Sequence, residues 1–336
     1  MKNRDRVLQI LYRKNGECVS SSEITGELGI TRSAVFKIIN ELKKQGFDIE
    51  SIHHRGYRLG NEKDIISPEI INEIIEKEGM NRSIQYFERV DSTNTFAKKI
   101  IMEGESYPDI IIANEQEQGR GRLGREFYSP KGTGIYCSFI LDPFIKIENS
   151  ILVTVAASVA VSRAIEKVTK KDTRIKWIND IYIDDKKVCG ILTEAVTDFE
   201  TGIIGKIILG IGINFNTPSE SFPDEITDRA SSVFMDDTFG VTRNQLIAQL
   251  IIEIDKCMND IENDEIIRYY RNKSLVLGKM LEITYFGQEK PIQGKAVDID
   301  RNGFLIIETK NGLLTLNSGE VSIRQNKEER DEVQGT

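Results

Sequence analysis

Histidine and tryptophan are scarce in this 336-residue chain. Histidine occurs only as the adjacent pair His53 and His54, and tryptophan only as Trp177. Neighbours on a strand point to opposite faces, so the pair is badly placed to close on one ion. With no third histidine, the sequence argues against a histidine-based metal site, and no other side-chain cluster is expected to hold a metal. The four cysteines (Cys18, Cys137, Cys189, Cys257) stand far apart with no C-x-x-C pair. That speaks against a zinc ribbon or a disulfide framework and fits a reducing compartment. Long apolar runs are also missing. MKNRDRVLQILYRKNGE at the N-terminus is charged throughout, and ILVTVAASVAV from Ile151 is too short to span a bilayer. The expectation is a cytoplasmic protein with no membrane partner.

The length points to two or three domains. The net charge of −8 is unevenly spread: residues 1–60 hold 11 Lys/Arg against 7 Asp/Glu, a net of +4. A basic head on an acidic body points to a polyanion met by the head alone. Three helices and a hairpin are expected there. Val7, Ile10 and Leu11 make a first apolar face; Ser20 and Glu23 have capping-box spacing before Ile24 and Leu28; Gly29 permits a turn. Thr31 suits the N-cap of a third helix with Val35, Ile38, Ile39 and Leu42 on one side. Residues 21–40 thus read as a helix-turn-helix, and FDIESIHHRGYRL adds a β-wing. Its outward groups are Arg32, Ser33, Lys37, Asn40 and Lys43, with Arg55 and Arg58 on the wing. Those in the first turns of the third helix suit base edges, and Lys43, Arg55 and Arg58 suit phosphates.

Residues 63–82 read as a helical linker, with Ser67 as N-cap and Pro68 at the first helical position. Residues 83–273 alternate strands with helices over Thr95 to Glu103, Ser150 to Lys170 and Thr242 to Glu262, giving a mixed α/β domain. Residues 274–326 carry short strands with Asn302-Gly303 and Asn311-Gly312 turns, a small β-barrel. Residues 327–336 read as a disordered tail. The fold class expected is a multi-domain α+β protein.

Within the body, GRGRLGRE places Gly119, Gly121 and Gly124 in G-x-G-x-x-G spacing. A dinucleotide loop needs a helix directly after the glycines, but a Pro/Gly-containing segment and an apolar strand follow here. A Walker A loop is also ruled out, because Arg-Glu follows Gly124. Arg120, Arg122 and Arg125 point instead to a loop that folds over an anion. Three other stretches stand out: DSTNT from Asp91, KWIND from Lys176 with Lys187 just before the next strand, and the glycine-spaced GIGINFN from Gly210.

These four stretches in this order, with GKAVDIDRNGFLIIET and GEVSIR near the C-terminus, resemble the biotin–protein ligase family, in its bifunctional ligase and biotin-operon repressor form. With the winged head, the resemblance covers nearly the whole chain. It implies a central catalytic domain and an SH3-like C-terminal barrel. It also implies ATP-dependent formation of biotinyl-5′-AMP, then transfer of biotin to a lysine of a biotin carboxyl carrier protein of acetyl-CoA or pyruvate carboxylase. Mg²⁺ is expected with ATP. By the same resemblance, Ser92, Thr93, Asn94 and Gln116 would meet biotin, and Gly190 would wall its chain. Arg120, Gly121 and Arg122 would close over the carboxyl and phosphate, with Arg125, Phe127, Asn179 and Asn214 around the adenylate. Lys187 would face charge at the carboxyl–phosphate junction, and Lys176 and Asp180 would complete the catalytic set. In repressor members the adenylate also drives a homodimer onto operator DNA.

The sequence departs from the family pattern twice. Phe127 stands where the family has tryptophan, which reduces the area available to an adenine face. Ile178 replaces a proline, so that turn is expected to be less preset. A lipoate ligase and a regulator that senses biotin without catalysis remain open alternatives.

Overall fold

A computed structural model describes residues 2–60, 64–104, 106–142, 150–197, 204–235, 240–285, 291–317 and 321–325. The expected tail, 327–336, lies outside them.

The head is built by α1 (Asn3–Arg13), α2 (Ser21–Leu28) and α3 (Arg32–Lys44), followed by β1 (Ile49–Ile52) and β2 (Gly56–Leu59), an antiparallel wing. Ser20 Oγ accepts from Glu23 N at 3.1 Å, so one half of the expected capping box forms. Gly29, at φ 65°, closes α2. Thr31 Oγ1 caps α3 through Ala34 N at 3.2 Å, a contact type worth about 1 kcal/mol. Val7, Leu11, Ile24, Val35, Ile39 and Leu42 then share one core.

α4 (Pro68–Ile75) follows, capped by Ser67. The stretch read as a linker is a packed element rather than a tether. Its Ile70 joins the head core, whereas Ile71 and Ile75 join the central core. Arg13 of α1 grips Glu73 of α4 with two bonds of 2.7 and 2.9 Å.

The central unit contains β3 (Ile84–Phe87), α5 (Thr93–Met102), β4 (Ile110–Ala113), β5 (Gly134–Leu141), α6 (Ser150–Thr169), β6 (Arg174–Lys176), β7 (Asp180–Ile183), β8 (Lys186–Thr197), β9 (Ile204–Asn214), α7 (Asp224–Thr227), α8 (Arg243–Asn259) and α9 (Asp264–Asn272). The sheet order is β3-β4-β5-β9-β8-β7-β6, with β3 and β4 parallel and the other pairs antiparallel. Residues of α6 and α8 share the main core with the sheet, and α5 packs through Ala97 and Ile100 against Ile111 and Ile208 in a second cluster. Helix ends differ from the sequence reading. Because Ser92 is the cap, α5 starts at Thr93, two residues early. α8 ends at Asn259, and α9 is a separate helix capped by Asn263. The sequence reading assigns no helix to residues 264–272, although their amphipathic pattern is strong and buries Ile266, Ile267 and Tyr270.

The last unit is a small antiparallel sheet: β10 (Met280–Tyr285), β11 (Ile292–Ile299), β12 (Leu305–Thr309), β13 (Gly312–Leu316) and β14 (Val321–Gln325), in the order β13-β12-β11-β10-β14. Its core residues Leu281, Ala296, Leu305 and Leu316 are continuous with the central core. Trp177 Nε1 donates to Gly303 O at 2.9 Å, which ties the KWIND turn to this unit.

Candidate active site

α5 begins at the cavity edge. Thr93 N and Oγ1 both donate to Gln116 Oε1, at 2.9 and 3.1 Å. Gln116 Nε2 donates to Ser129 Oγ at 2.9 Å, and Ser129 Oγ donates to Phe127 O. This relay ties the helix start to the base of the arginine loop. Ser92, buried, caps the helix through Thr95 N. The Asn94 amide is engaged at both ends: Oδ1 accepts from Ser138 Oγ at 2.6 Å, and Nδ2 donates to Glu194 Oε2 at 2.7 Å.

The floor is glycine. Gly190 and Gly212 are register partners on β8 and β9. A Cβ on Gly212 would meet the Phe127 ring at 2.5 Å, so that ring lies directly on the floor. A Cβ on Gly210 would strike Asn94 Oδ1 at 2.3 Å. Close approach by other side chains, not turn geometry, requires glycine here.

The GRGRLGRE loop closes on itself: Gly121 N donates to Arg125 O at 2.7 Å and Phe127 N to Gly119 O at 2.9 Å. A short 3-10 turn fills its tip, and β5 follows, not a dinucleotide-loop helix. Its glycines act differently. A Cβ on Gly119 would hit Phe127 O at 2.3 Å, whereas Gly124 adopts φ 71°. Beside Gly124, Leu123 also takes left-handed φ, 58°, while 54% exposed. Arg122 turns into the cavity, where Nη1 donates to Asn179 Oδ1 at 3.4 Å. Burial lowers its pKa, opposed by the nearby Asp180 charge. Arg120 and Arg125 stay exposed.

The KWIND turn is well held despite lacking proline. The Ile178 carbonyl accepts from Ser158 Oγ at 3.1 Å and Tyr270 Oη at 3.0 Å. Asn179 Nδ2 donates to Ile191 O at 2.7 Å. Packing and hydrogen bonds therefore fix a turn that the absence of proline alone suggests is loose. Lys187 lies inside β8 rather than before it, and its Nζ is 2.7 Å from Asp180 Oδ1. That ion pair does not have hydrogen-bond geometry, since Asp180 Oδ1 is buried without a hydrogen-bond partner among the described residues. The Lys187 charge, not a directed hydrogen bond, therefore holds Asp180 Oδ1.

One cavity of about 310 Å³ gathers these groups. Ser92, Thr93, Asn94, Gln116, Arg120, Gly121, Arg122, Arg125, Phe127, Lys176, Asn179, Asp180, Lys187, Gly190 and Asn214 all line it. Every body residue assigned a ligand or catalytic role from the sequence is thus brought together. Tyr128, Tyr182, Phe222, Ile226 and Arg229 also line the cavity, and sequence reasoning misses them. Tyr182 was findable, because it lies two residues from Asp180 on the same strand face. Burial pushes its phenol up to about 12, and the Arg229 charge opposes that rise. Arg229 carried no sequence signal. Its carbonyl is held by Lys187 N at 2.9 Å, a pairing between distant segments. The lining carries six cationic side chains, Arg120, Arg122, Arg125, Lys176, Lys187 and Arg229, against Glu126 and Asp180. Such a surface fits an anion.

The head presents a second, separate surface. Arg32, Ser33, Lys37 and Arg55 are exposed, and Asn40 and Lys43 are half-buried. Lys43 Nζ donates to Ser51 Oγ, joining α3 to the wing. Arg58 is committed to Glu50 at 2.5 Å, so it is a poorer phosphate donor than the sequence implied. Among the described residues, no group of three or more His, Cys, Asp or Glu could hold a metal, and no helix is long and apolar enough to cross a membrane.

A helix-turn-helix head joined to a mixed-sheet domain with a cationic, glycine-floored cavity is the frame of a protein that carries a DNA-binding head and a separate anion-binding site. Comparison narrows the class. The biotin/lipoate A/B protein ligase family matches residues 86–214, a helix-turn-helix domain matches 3–58, and the biotin protein ligase C-terminal domain matches 276–324. The bifunctional ligase/repressor BirA of Bacillus spizizenii is 31% identical over 95% of this chain and 98% of its own length. BirA of Escherichia coli is 28% identical over 92% and 94%. The structure of the Aquifex aeolicus biotin protein ligase in complex with biotin and ATP superposes with TM-score 0.60 and 30% identity, covering 73% of this chain and 99% of that one. The chain belongs to the biotin–protein ligase family, in its bifunctional ligase/repressor branch.

Proposed function

We infer that this protein is an ATP-dependent biotin–protein ligase and a repressor whose operator binding depends on biotinyl-5′-AMP. The observation that carries the reading is the convergence on one cavity of the glycine floor, the arginine loop and the Lys187–Asp180 pair. Residues 1–62 act as the DNA-binding unit, 63–82 join it, 83–273 catalyse and 274–326 support the catalytic unit.

Biotin enters over Gly190 and Gly212, with the neutral ureido ring toward Ser92, Thr93 and Gln116. A hydroxyl, a backbone N–H and an amide match a ring with one acceptor and two donors. Asn94, held by Ser138 and Glu194, shapes that end rather than reaching freely into it. Phe127 must leave the floor as the acid arrives; it then covers the adenylate, with Asn179 and Asn214 alongside. The carboxylate attacks the α-phosphate of ATP, and pyrophosphate leaves. Two anions must meet, so Arg120, Arg122, Arg125 and Lys187 offset their repulsion in a site of reduced water, where each charge counts most. In the second step the carrier lysine amine attacks the mixed anhydride, and AMP leaves. Asp180, paired with Lys187, receives that amine, and Lys176 stands beside the same strands.

Magnesium would travel with the ATP phosphates, a mode that needs only one or two protein carboxylates. Asp180 fits as that carboxylate, and the ion would neutralise phosphate charge. ATP, carrier and operator together imply a cytoplasmic setting. The adenylate, buried beneath the arginine loop, favours a homodimer that presents two heads to a two-fold operator.

The test is an intact-mass measurement on a biotin carboxyl carrier domain incubated with the protein, biotin, ATP and Mg²⁺. A gain of one biotin only when ATP is present is expected. A carrier that gains no mass with biotin and ATP present, or that gains lipoate in preference to biotin when both acids are supplied, would overturn the ligase reading.

A further inference from the structure

The outer face of α3 holds a residue that the charge argument does not explain. Phe36 is 58% exposed. It is the only phenylalanine among the exposed large apolar side chains of the described residues. It belongs to neither the head core nor the partly buried shell around it. Val35, Ile39 and Leu42, which face the head core, lie about a quarter-turn round the helix from it. Arg32, Phe36 and Asn40 follow at i, i+4 and i+8, one row along the outer surface; Ser33 and Lys37 form the adjoining row. Phe36 therefore lies exposed on the flank of the polar and basic face, between Arg32 and Asn40. Single exposed apolar residues are common. What sets this one apart is its hydrogen-bonding and cationic neighbours, Arg32, Ser33, Lys37 and Asn40, which match a polyanion and leave one apolar contact beside them.

We propose that Phe36 is a specificity residue that reads thymine 5-methyl groups in the operator major groove. The thymine methyl is the only apolar group that base pairs present there, and a phenylalanine ring is among the side chains suited to it. Arg32, Lys37 and Asn40 contact phosphates and polar base edges on either side. The inference rests on the operator-binding reading and deepens it by naming a base preference.

The test starts from random DNA. Duplexes are enriched from a random pool with the full chain, biotin and ATP. The enriched duplex is then remade with deoxyuridine at every thymine, which removes the methyls and keeps every hydrogen-bonding edge. The wild-type protein should lose about fourfold in affinity for each methyl contacted. Phe36→Ala should bind the thymine duplex more weakly and bind both duplexes alike, whereas Phe36→Leu, still apolar, should retain discrimination. If Phe36→Ala still prefers thymine over uracil to the wild-type extent, the proposal is wrong. If the wild type enriches no sequence at all, the operator reading itself fails, a result distinct from an unchanged preference.

Discussion

The head and the central cavity present their chemistry in opposite ways. In the head, the surface groups come from a short span, Arg32 to Arg55, and turn outward because the same helix buries Val35, Ile39 and Leu42. The cavity draws on Ser92, Gln116, Arg122, Asp180, Lys187 and Gly212, which only the sheet order brings together. A local pattern makes a binding face; a distant assembly makes a site where charges are held against each other. The join between the regions is neither. Arg243, at the start of α8 with a buried guanidinium, donates through Nε to Asp64 Oδ2 at 3.0 Å and through Nη1 to Asn114 Oδ1 at 2.9 Å and Gly134 O at 3.2 Å. Asp64 lies just before α4, and Asn114 lies two residues from Gln116.

The largest expected effect comes from cutting that join. Arg243→Ala strips Asp64 of its cation, leaving it only the backbone N–H of residue 243, and leaves Asn114 Oδ1 without its buried donor; it should cost about 3–5 kcal/mol of stability in denaturant melts. Next comes the cavity alone. Arg122→Ala removes a cation from the developing phosphate charge and should slow adenylate formation by about 10²–10³ in a single-turnover assay, with the melt little changed. A smaller effect follows from the floor. Gly212→Ala places a methyl against the Phe127 ring, and should weaken biotin binding by about 1–3 kcal/mol, read by calorimetry, while ATP binding changes less.

The smallest effect concerns the scaffold behind the cavity. Burial of Glu166 opposes its ionisation, but hydrogen bonds from Lys273, Thr173 and Tyr269 outweigh it and hold its carboxyl below the ordinary 4.5. A depressed carboxyl contributes stability above its unfolded pKa and loses it as pH falls through the folded value. Glu166→Gln should therefore lower Tm by roughly 2 °C at pH 7, and the two melting curves should converge below pH 4.5.

Legibility in the sequence followed the same division. The head's helices, its turn at Gly29 and the cap at Thr31 were readable because each rests on neighbours in the chain. α9 was missed despite its strong pattern: it is a short helix, and the reading stopped at Glu262 without assigning the residues after it. The cavity's charged residues were recognised through motifs, and a shared cavity gathers them. What no motif carried was whatever depends on two distant segments: Phe127 lying on Gly212, Glu194 holding Asn94, and Arg229 zipped to Lys187. The turn at Ile178 shows the same limit. Loss of proline reads as loosening, yet Ser158 and Tyr270, 20 and 92 residues away, hold its carbonyl.

The central claim is that the cavity's occupant controls the head. The direct measurement is the affinity of the full chain for its enriched operator duplex, at one fixed salt concentration, with and without biotin plus ATP. The account predicts tighter binding only when both are present, and an equal tightening of adenylate retention when operator is added, because such coupling is reciprocal. An operator affinity that is the same with and without them would contradict it.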